Sequence, residues 1–378
     1  MRVSGDRLGI DNVNRFGRWS KTVSTPVTAL SDPACGGGNG MATRLFPSTT
    51  ELVPVELKNF PAGRAPRLDL YHYVAGQAVL YCEANTVFGV DARRRLLDSR
   101  VTNLYIRLTN GNVAAGGSQL KTLLGLSDDE LAPEVKSKLI YSHAMSAARL
   151  VFLTPATPQH LEAATDVVAA IAGRIAEVPE CVASLVGTMR NDTVFSHSVN
   201  VCIYATALAH YLGSEGGDLV DLGMGAFLHD IGKARVPDVI LNKPGALSAD
   251  EWETMMRHPE MGLQVLGESA SRLSPNVRTA IYEHHERLDG SGYPRRLAGS
   301  AINTVARLVA LVDVYDALTS ERPYRSASPP FAALRTIRDE MSGKLDRELF
   351  DCFVRLLGRT RGQTGWSAQP IERKERPA

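Results

Sequence analysis

The sequence predicts a mainly α protein: an all-helical C-terminal bundle with a small N-terminal α/β module ahead of it. Three observations carry that expectation. Histidines and aspartates recur at 197, 229–230, 258, 284–285 and 313, with gaps of 32, 28, 26 and 28 residues. Gaps of that size suit one helix per donor, each returning its side chain to a common centre. Ala164, Val167, Val168, Ile171 and Ile175 fall at helical spacing and mark a buried stripe. Before residue 110 the texture changes to short β-prone runs separated by turn residues.

Taken in order, residues 1–45 read as disordered, since SDPACGGGNG (31–40) is linker chemistry and little before it could build a core. Met41 follows that linker and is placed to be a translation start. Residues 46–126 form the α/β module. Leu68–Val74 and Gln77–Cys82 make a hairpin about Ala75-Gly76, and Asp91 is placed to cap a short helix, DARRRLLDS. Val101–Leu108 returns as a strand, closed by Asn110-Gly111. The module reads either as a sensory or docking domain or as a structural cap, because it shows no titratable cluster or glycine-rich cradle. Residues 127–156 form a connector helix, with SDDE (127–130) as capping chemistry. Its Leu139, Met145 and Leu150 suit either a coupling or homodimer contact or packing on the bundle. The bundle occupies 157–358 and opens with two helices split by Pro179. His197 then shares a helix face with Val201, Tyr204 and Leu208. The polar tail, 359–378, should be mobile.

Composition removes several function classes. Lys plus Arg (42) balances Asp plus Glu (41), which argues against a nucleic-acid polymer or an anionic membrane as partner. Any phosphate binding must be local. The five cysteines are scattered without a CxxC pair, which suits a reduced cytoplasm, with Cys202 and Cys352 as small core residues. No run of 18 apolar residues exists, so no membrane insertion is expected. The basic N-terminus lacks the apolar stretch of a secretory signal.

The chemistry centres on His284–Pro294, HHERLDGSGYP. Adjacent histidines sit about 100° apart on a helix and cannot share a face, but they can straddle a metal pair. Together with His197, His229, Asp230, His258 and Asp313 they make seven imidazole or carboxylate donors. Seven are too many for one tetrahedral ion and suit two octahedral ions with a bridging carboxylate. Asp230 is the best bridge, since a carboxylate offers two oxygens and an imidazole one lone pair. Nitrogen and oxygen donors without thiolate suit iron or manganese, with zinc or nickel as alternatives. Glu283, Glu286 and Asp289 read as supporting residues.

His229-Asp230 with Lys233, followed by HHExxDGxGYP at 284–294, resembles the HD-GYP family of cyclic di-GMP phosphodiesterases. The flanking phrases KPGALSADEW (243–252), ARLVALVDVYDALTS (306–320) and RPYR (322–325) extend the resemblance to roughly Thr157–Gly358. It implies an all-helical metal-dependent enzyme that hydrolyses cyclic di-GMP to pGpG, GMP or both, through a metal-activated water. Asp230 and Lys233 become the catalytic pair, with Lys233 on the scissile phosphate, where its charge meets that of the phosphoryl oxygens. Iron or manganese is favoured. The loop holding Gly290 and Tyr293 shapes the mouth of the site and offers a surface to diguanylate cyclase (GGDEF) domains. Arg322 and Arg325 either hold a second phosphate or the guanine, or pin their loop by ion pairs. Some members of the family add a third ion through a glutamate one turn before the first histidine. Here Thr193 stands at that position and Asp192 is one residue further back, so two ions are expected and both residues read as helix caps. Two other classes remain: a cyclic di-GMP receptor with little catalysis, and a generic HD-superfamily nucleotide phosphohydrolase. The filled ligand set argues against the first and the GYP stretch against the second.

Overall fold

The computed structural model describes residues 52–57, 60, 62–63, 65–66, 68–74, 77–107, 133–186, 194–243, 245–321 and 327–359. The expectations for the 1–45 segment, Ala75-Gly76, Asn110-Gly111, SDDE at 127–130, Asp192, Thr193, Arg322, Arg325 and 360–378 lie outside these residues. The described residues fall into two compact units, one ending at Arg107 and the other beginning at Pro133.

The N-terminal unit is built from β1 (Leu52–Glu56), β2 (Leu70–Val74), β3 (Gln77–Cys82), α1 (Val90–Asp98) and β4 (Asn103–Arg107). The strands form one antiparallel sheet in the order β1-β4-β2-β3. Val74 pairs with Gln77, the hairpin expected from the sequence. In β4, Leu104 and Ile106 are buried while Asn103, Tyr105 and Arg107 are half-buried, the two-residue period of a strand covered on one face. Leu70, Phe88 and Leu96 complete this small core. One expectation fails here. Gly89 takes the N-cap position of α1 and Asp91 lies in the first turn without a capping bond. Val90 enters the helix ahead of it, so Asp91 acts only through its charge at the positive helix end.

The second unit is all helical: α2 (Pro133–Leu153), α3 (Pro158–Glu177), α4 (Cys181–Val186), α5 (Val194–Tyr211), α6 (Gly216–Leu228), α7 (Asp238–Leu241), α8 (Ala249–Met256), α9 (His258–Leu266), α10 (Ser269–Arg272), α11 (Pro275–Glu283), α12 (Thr304–Thr319), α13 (Pro330–Glu340) and α14 (Arg347–Arg359). A 3-10 turn, Ile231–Arg235, follows α6. Local chemistry places several starts. Pro158 opens α3, Ser248 and Glu251 form a reciprocal capping box on α8, and Asn303 caps α12. The stripe Ala164, Val167, Val168, Ile171 and Ile175 on α3 is buried throughout. The helix expected as a connector, α2, buries Leu139, Ala144, Ala148 and Val151 against α3, α4 and α5 within the same core.

Two helices, α5 and α12, are buried on nearly every side and form the axis of the bundle. Glycines then let α6 approach its neighbours closely. A Cβ on Gly223 would lie 2.7 Å from Val168 Cγ1, and one on Gly225 would lie 2.6 Å from Ala280 Cβ. Gly232 is tighter still, since its Cβ would meet the His258 carbonyl oxygen at 1.8 Å. That contact seats the 3-10 turn directly on the start of α9.

Gly232→Ala should therefore destabilise the bundle by about 1–3 kcal/mol, because backbone must move to admit the methyl group. Gly173, exposed in the interior of α3 with nothing within 4 Å of where a methyl group would sit, gives the opposite expectation. Gly173→Ala should stabilise by about 0.4–1 kcal/mol. Chemical denaturation of both variants measures the two signs.

Candidate metal centre

Helix ends deliver most of the donors. His229 caps α6, His258 opens α9 immediately after α8, and His284 caps α11. The last-turn carbonyls of a helix lack intrahelical partners. Each of these histidines donates to one: His229 Nδ1 to Ala226 O at 2.7 Å, His258 Nδ1 to Met255 O at 2.8 Å, and His284 Nδ1 to Ile281 O at 3.0 Å. A carbonyl can only accept, so Nδ1 carries the proton and Nε2 presents a bare lone pair inward. The tautomer is fixed by the backbone.

His197 reaches the same centre from α5, and its Nδ1 lies 2.7 Å from Asp316 Oδ2. Asp313, one turn earlier on α12, places Oδ1 3.0 Å from His197 Nε2. The seven expected donors thus meet in two groups: His197, His229 and Asp313, and Asp230, His258, His284 and His285. Within each group the ligand atoms lie within 4.8 Å of one another.

Asp230 faces both groups. Its Oδ2 lies 3.4 Å from His229 Nε2 and 3.7 Å from His197 Nε2. Its Oδ1 lies 3.4 Å from His258 Nε2 and 3.8 Å from His284 Nε2. Oδ1 and His229 Nε2 are buried without a hydrogen-bond partner, as is His285 Nδ1. His258 Nε2 and His284 Nε2 sit 3.2 Å apart, two lone pairs facing each other. Bare nitrogens and a carboxylate packed this way repel unless a cation lies among them. The residues fit a metal.

Burial sets the protonation states to match. It pushes His258 down to about 4 and holds His284 and His285 well below the ordinary imidazole value. All three are neutral and ready to ligate near pH 7. Burial also opposes the charge on Asp230, but Lys233 and then His229 hold its carboxyl well below the usual range. At His197 burial opposes the charged form, yet Asp313 and Asp316 prevail and raise it to about 9. A proton there stands partly in the place of a metal charge.

Lys233 lies on the 3-10 turn with Nζ 2.6 Å from Asp230 Oδ2. The turn, not a continuing helix, brings it back onto its own aspartate. The loop after His285 is pinned by Glu286, which accepts from the backbone N–H groups of Arg295 (2.7 Å) and Leu297 (2.9 Å). Gly292 crosses so close that a Cβ would lie 2.4 Å from Arg287 N. Tyr293 then stacks on His285, with centroids 4.6 Å apart, and meets Trp252 edge-on. Gly290 occupies a tight turn at φ +77° and donates to Arg287 O. Asp289 accepts from the backbone and hydroxyl of Ser291, and Glu283 pairs with Arg295. Arg322 and Arg325 are outside the described residues, as are Asp192 and Thr193.

Asp316 is the functional residue that sequence reading missed. It stands three residues after Asp313 on the same helix, hence on a shared face, a spacing that pairs the two carboxylates without separating their roles.

Comparisons with known proteins meet this geometry. Residues 180–349 match the HD domain family. Over 223 residues the chain is 37% identical to a cyclic di-GMP phosphodiesterase of Pseudomonas aeruginosa, covering 58% of this chain and 53% of that one. It is 41% identical over 151 residues to the cyclic di-GMP phosphodiesterase response regulator RpfG of Xanthomonas campestris, covering 40% of each. A 3'3'-cGAMP-specific phosphodiesterase of Vibrio cholerae is 38% identical over 168 residues, or 44% of this chain and 31% of that one. The chain spans about half the length, or less, of these curated relatives. An HDG"Y"P protein from Bdellovibrio bacteriovorus shares the fold, with a TM-score of 0.57 at 20% identity over 82% of this chain and all of that one. A candidate divalent-metal site built from an HD pair, a helix-borne aspartate and a GYP loop thus lies within the stretch that matches the HD domain family and that is similar to relatives named as cyclic-dinucleotide phosphodiesterases.

Proposed function

We propose that this chain is a metal-dependent phosphodiesterase that hydrolyses cyclic di-GMP to pGpG, GMP or both. The observation that carries the reading is Asp230, whose two oxygens each face a separate group of donors. That arrangement suits two divalent ions sharing one carboxylate. The curated relatives named as cyclic di-GMP phosphodiesterases support the substrate. Iron or manganese is the fitting metal, since no thiolate is among the donors.

Bound divalent ions would supply an activated water and neutralise charge on the phosphoryl oxygens. The chain's own groups do the rest. The carbonyl-held imidazoles keep their lone pairs aimed inward without reorganisation. Lys233, held beside Asp230 with Nζ 2.6 Å from Oδ2, would direct a point charge at the scissile phosphate. Tyr293, stacked on His285, walls the mouth and offers a face to a guanine, with Gly290 leaving room in the turn beside it. Arg322 and Arg325 remain candidates for the second phosphate. The same loop is a docking surface for GGDEF domains, and a second copy of the chain is a further partner. Four described cysteines are free, which suits the cytoplasm. No described helix is long and apolar enough to cross a membrane.

Incubation of metal-loaded protein with cyclic di-GMP, with products separated over time, tests the reading. The expected outcome is pGpG or GMP. Because 3'3'-cGAMP-specific relatives show comparable identity, that dinucleotide runs as a parallel substrate. Turnover of neither would defeat the proposal, and turnover of cGAMP alone would move the substrate.

Three further outcomes follow from the geometry. Elemental analysis of Asp230→Ala should find both ions gone, whereas His197→Ala should retain about one ion. Lys233→Ala should keep its metal while turnover falls about 10²–10³-fold, since only charge stabilisation is lost. Loss of metal in that variant would assign Lys233 a structural role instead. Metal-free protein given Mn²⁺ at 100 times a site's dissociation constant should gain about 2.7 kcal/mol of stability from that site, read as a raised unfolding midpoint.

A further inference from the structure

The imidazole of His197 differs from the other ligands in what holds it. Three histidines lean on backbone carbonyls at helix ends just before them in the chain, but His197 leans on a side chain from another helix. Asp316 Oδ2 accepts from His197 Nδ1 at 2.7 Å and from Ser320 Oγ at 3.1 Å. Asp316 Oδ1 accepts from Asn200 Nδ2 at 3.0 Å. Asn200 in turn accepts through Oδ1 from the Tyr141 hydroxyl at 3.1 Å. Tyr141 is fully buried on α2, the first described helix after the N-terminal unit. Three helices, α2, α5 and α12, therefore meet in one path, joined at Asp316 by Ser320, that ends on a metal-ligand candidate.

We propose that Asp316, Asn200 and Tyr141 are positioning residues for His197, so that metal binding in the His197–His229–Asp313 group depends on how α2 is seated. This rests on the metal-centre reading above.

The chemistry of each member suits the task. Asp316 must present two acceptors, one to His197 and one to Asn200, which only a carboxylate does. Asn200 must donate on one side and accept on the other, which only an amide does at that length. Tyr141 is kept protonated, and so a donor, by burial and then by the Asp316 charge, which hold its hydroxyl well above the usual range. A displaced α2 would take the phenol away, free the amide to rotate and loosen the carboxylate under His197. In the other group His258 and His284 are held through backbone carbonyls, and none of its four donors joins this path. The path thus acts on one group of donors and not on both.

The test is Mn²⁺ binding to metal-free full-length protein, with free Mn²⁺ followed by electron paramagnetic resonance and unfolding midpoints measured in parallel. Wild type is expected to bind in two steps. Asp316→Asn leaves a single acceptor and should weaken one step about 10–100-fold with the other unchanged. Tyr141→Phe removes one hydroxyl without changing shape and should weaken the same step about 2- to 10-fold. The double variant Asn200→Asp with Asp316→Asn again sets one donor against one acceptor, and should recover much of the lost affinity. Both steps weakening equally in Asp316→Asn would mean general loosening and would overturn the proposal, as would no change in either step. An unchanged isotherm in Tyr141→Phe would cut α2 out of the path. A single step in wild type would sink the two-ion reading, and the relay would then stand or fall on whether that step moves.

Discussion

The structure depends on keeping a buried carboxylate and a ring of bare imidazole nitrogens within reach of one another. Asp230 has nitrogens from four histidines between 3.4 and 3.8 Å of its oxygens. At such distances in a low-dielectric interior, charge and lone-pair repulsion are among the strongest local forces available. Lys233 and a protonated His197 relieve part of it, and a divalent ion relieves more. The scaffold must therefore be stiff enough to hold the donors together before a cation arrives. Gly223, Gly225 and Gly232 serve that stiffness, since each removes a methyl group that would prise apart the helices carrying the ligands.

This requirement explains where the histidines stand. A side chain in mid-helix finds the backbone already paired, so its imidazole needs a partner from elsewhere. At a helix end the unpaired carbonyls are on hand three or four residues back. His229, His258 and His284 use those carbonyls. His197, in the first turns of α5, has no such carbonyl behind it and borrows a carboxylate from α12. The fold thus prescribes two kinds of support, backbone carbonyls for His229, His258 and His284 and a side-chain relay for His197.

The same distinction decides what could be read from the sequence. Donors carried by separate helices leave regular gaps, and a bridging role for Asp230 follows from counting oxygens, so the centre was legible. The stripe on α3 and the hairpin of β2 and β3 were legible because each is a local period. Asp316 was not, because nothing in Asp-Val-Tyr-Asp says which aspartate meets the metal and which meets a histidine. That choice is made by the rotation of α12 against α5, a packing outcome. The return of Lys233 onto Asp230 was hidden for a similar reason, since the tightening of α6 into a 3-10 turn is forced by the His258 carbonyl over Gly232, 26 residues away. The N-cap of α1 slipped by two residues, as helix ends do when a β-branched residue can join the first turn.

The GYP loop shows how the mouth of the site is tied to its floor. His284 and His285 are consecutive, so the loop begins inside the donor set. Glu286 then binds two backbone N–H groups nine and eleven residues on, closing the loop over its own start. Gly292 passes against the backbone of 285–287 at a distance no side chain would permit, and Tyr293 is delivered onto the His285 ring. A molecule pressing on Tyr293 or on the loop face would therefore press on a candidate donor through stacked rings and short hydrogen bonds. It need not reach the donors to affect them. The loop at the mouth and the candidate donors at the floor are thus parts of one connected stretch of chain.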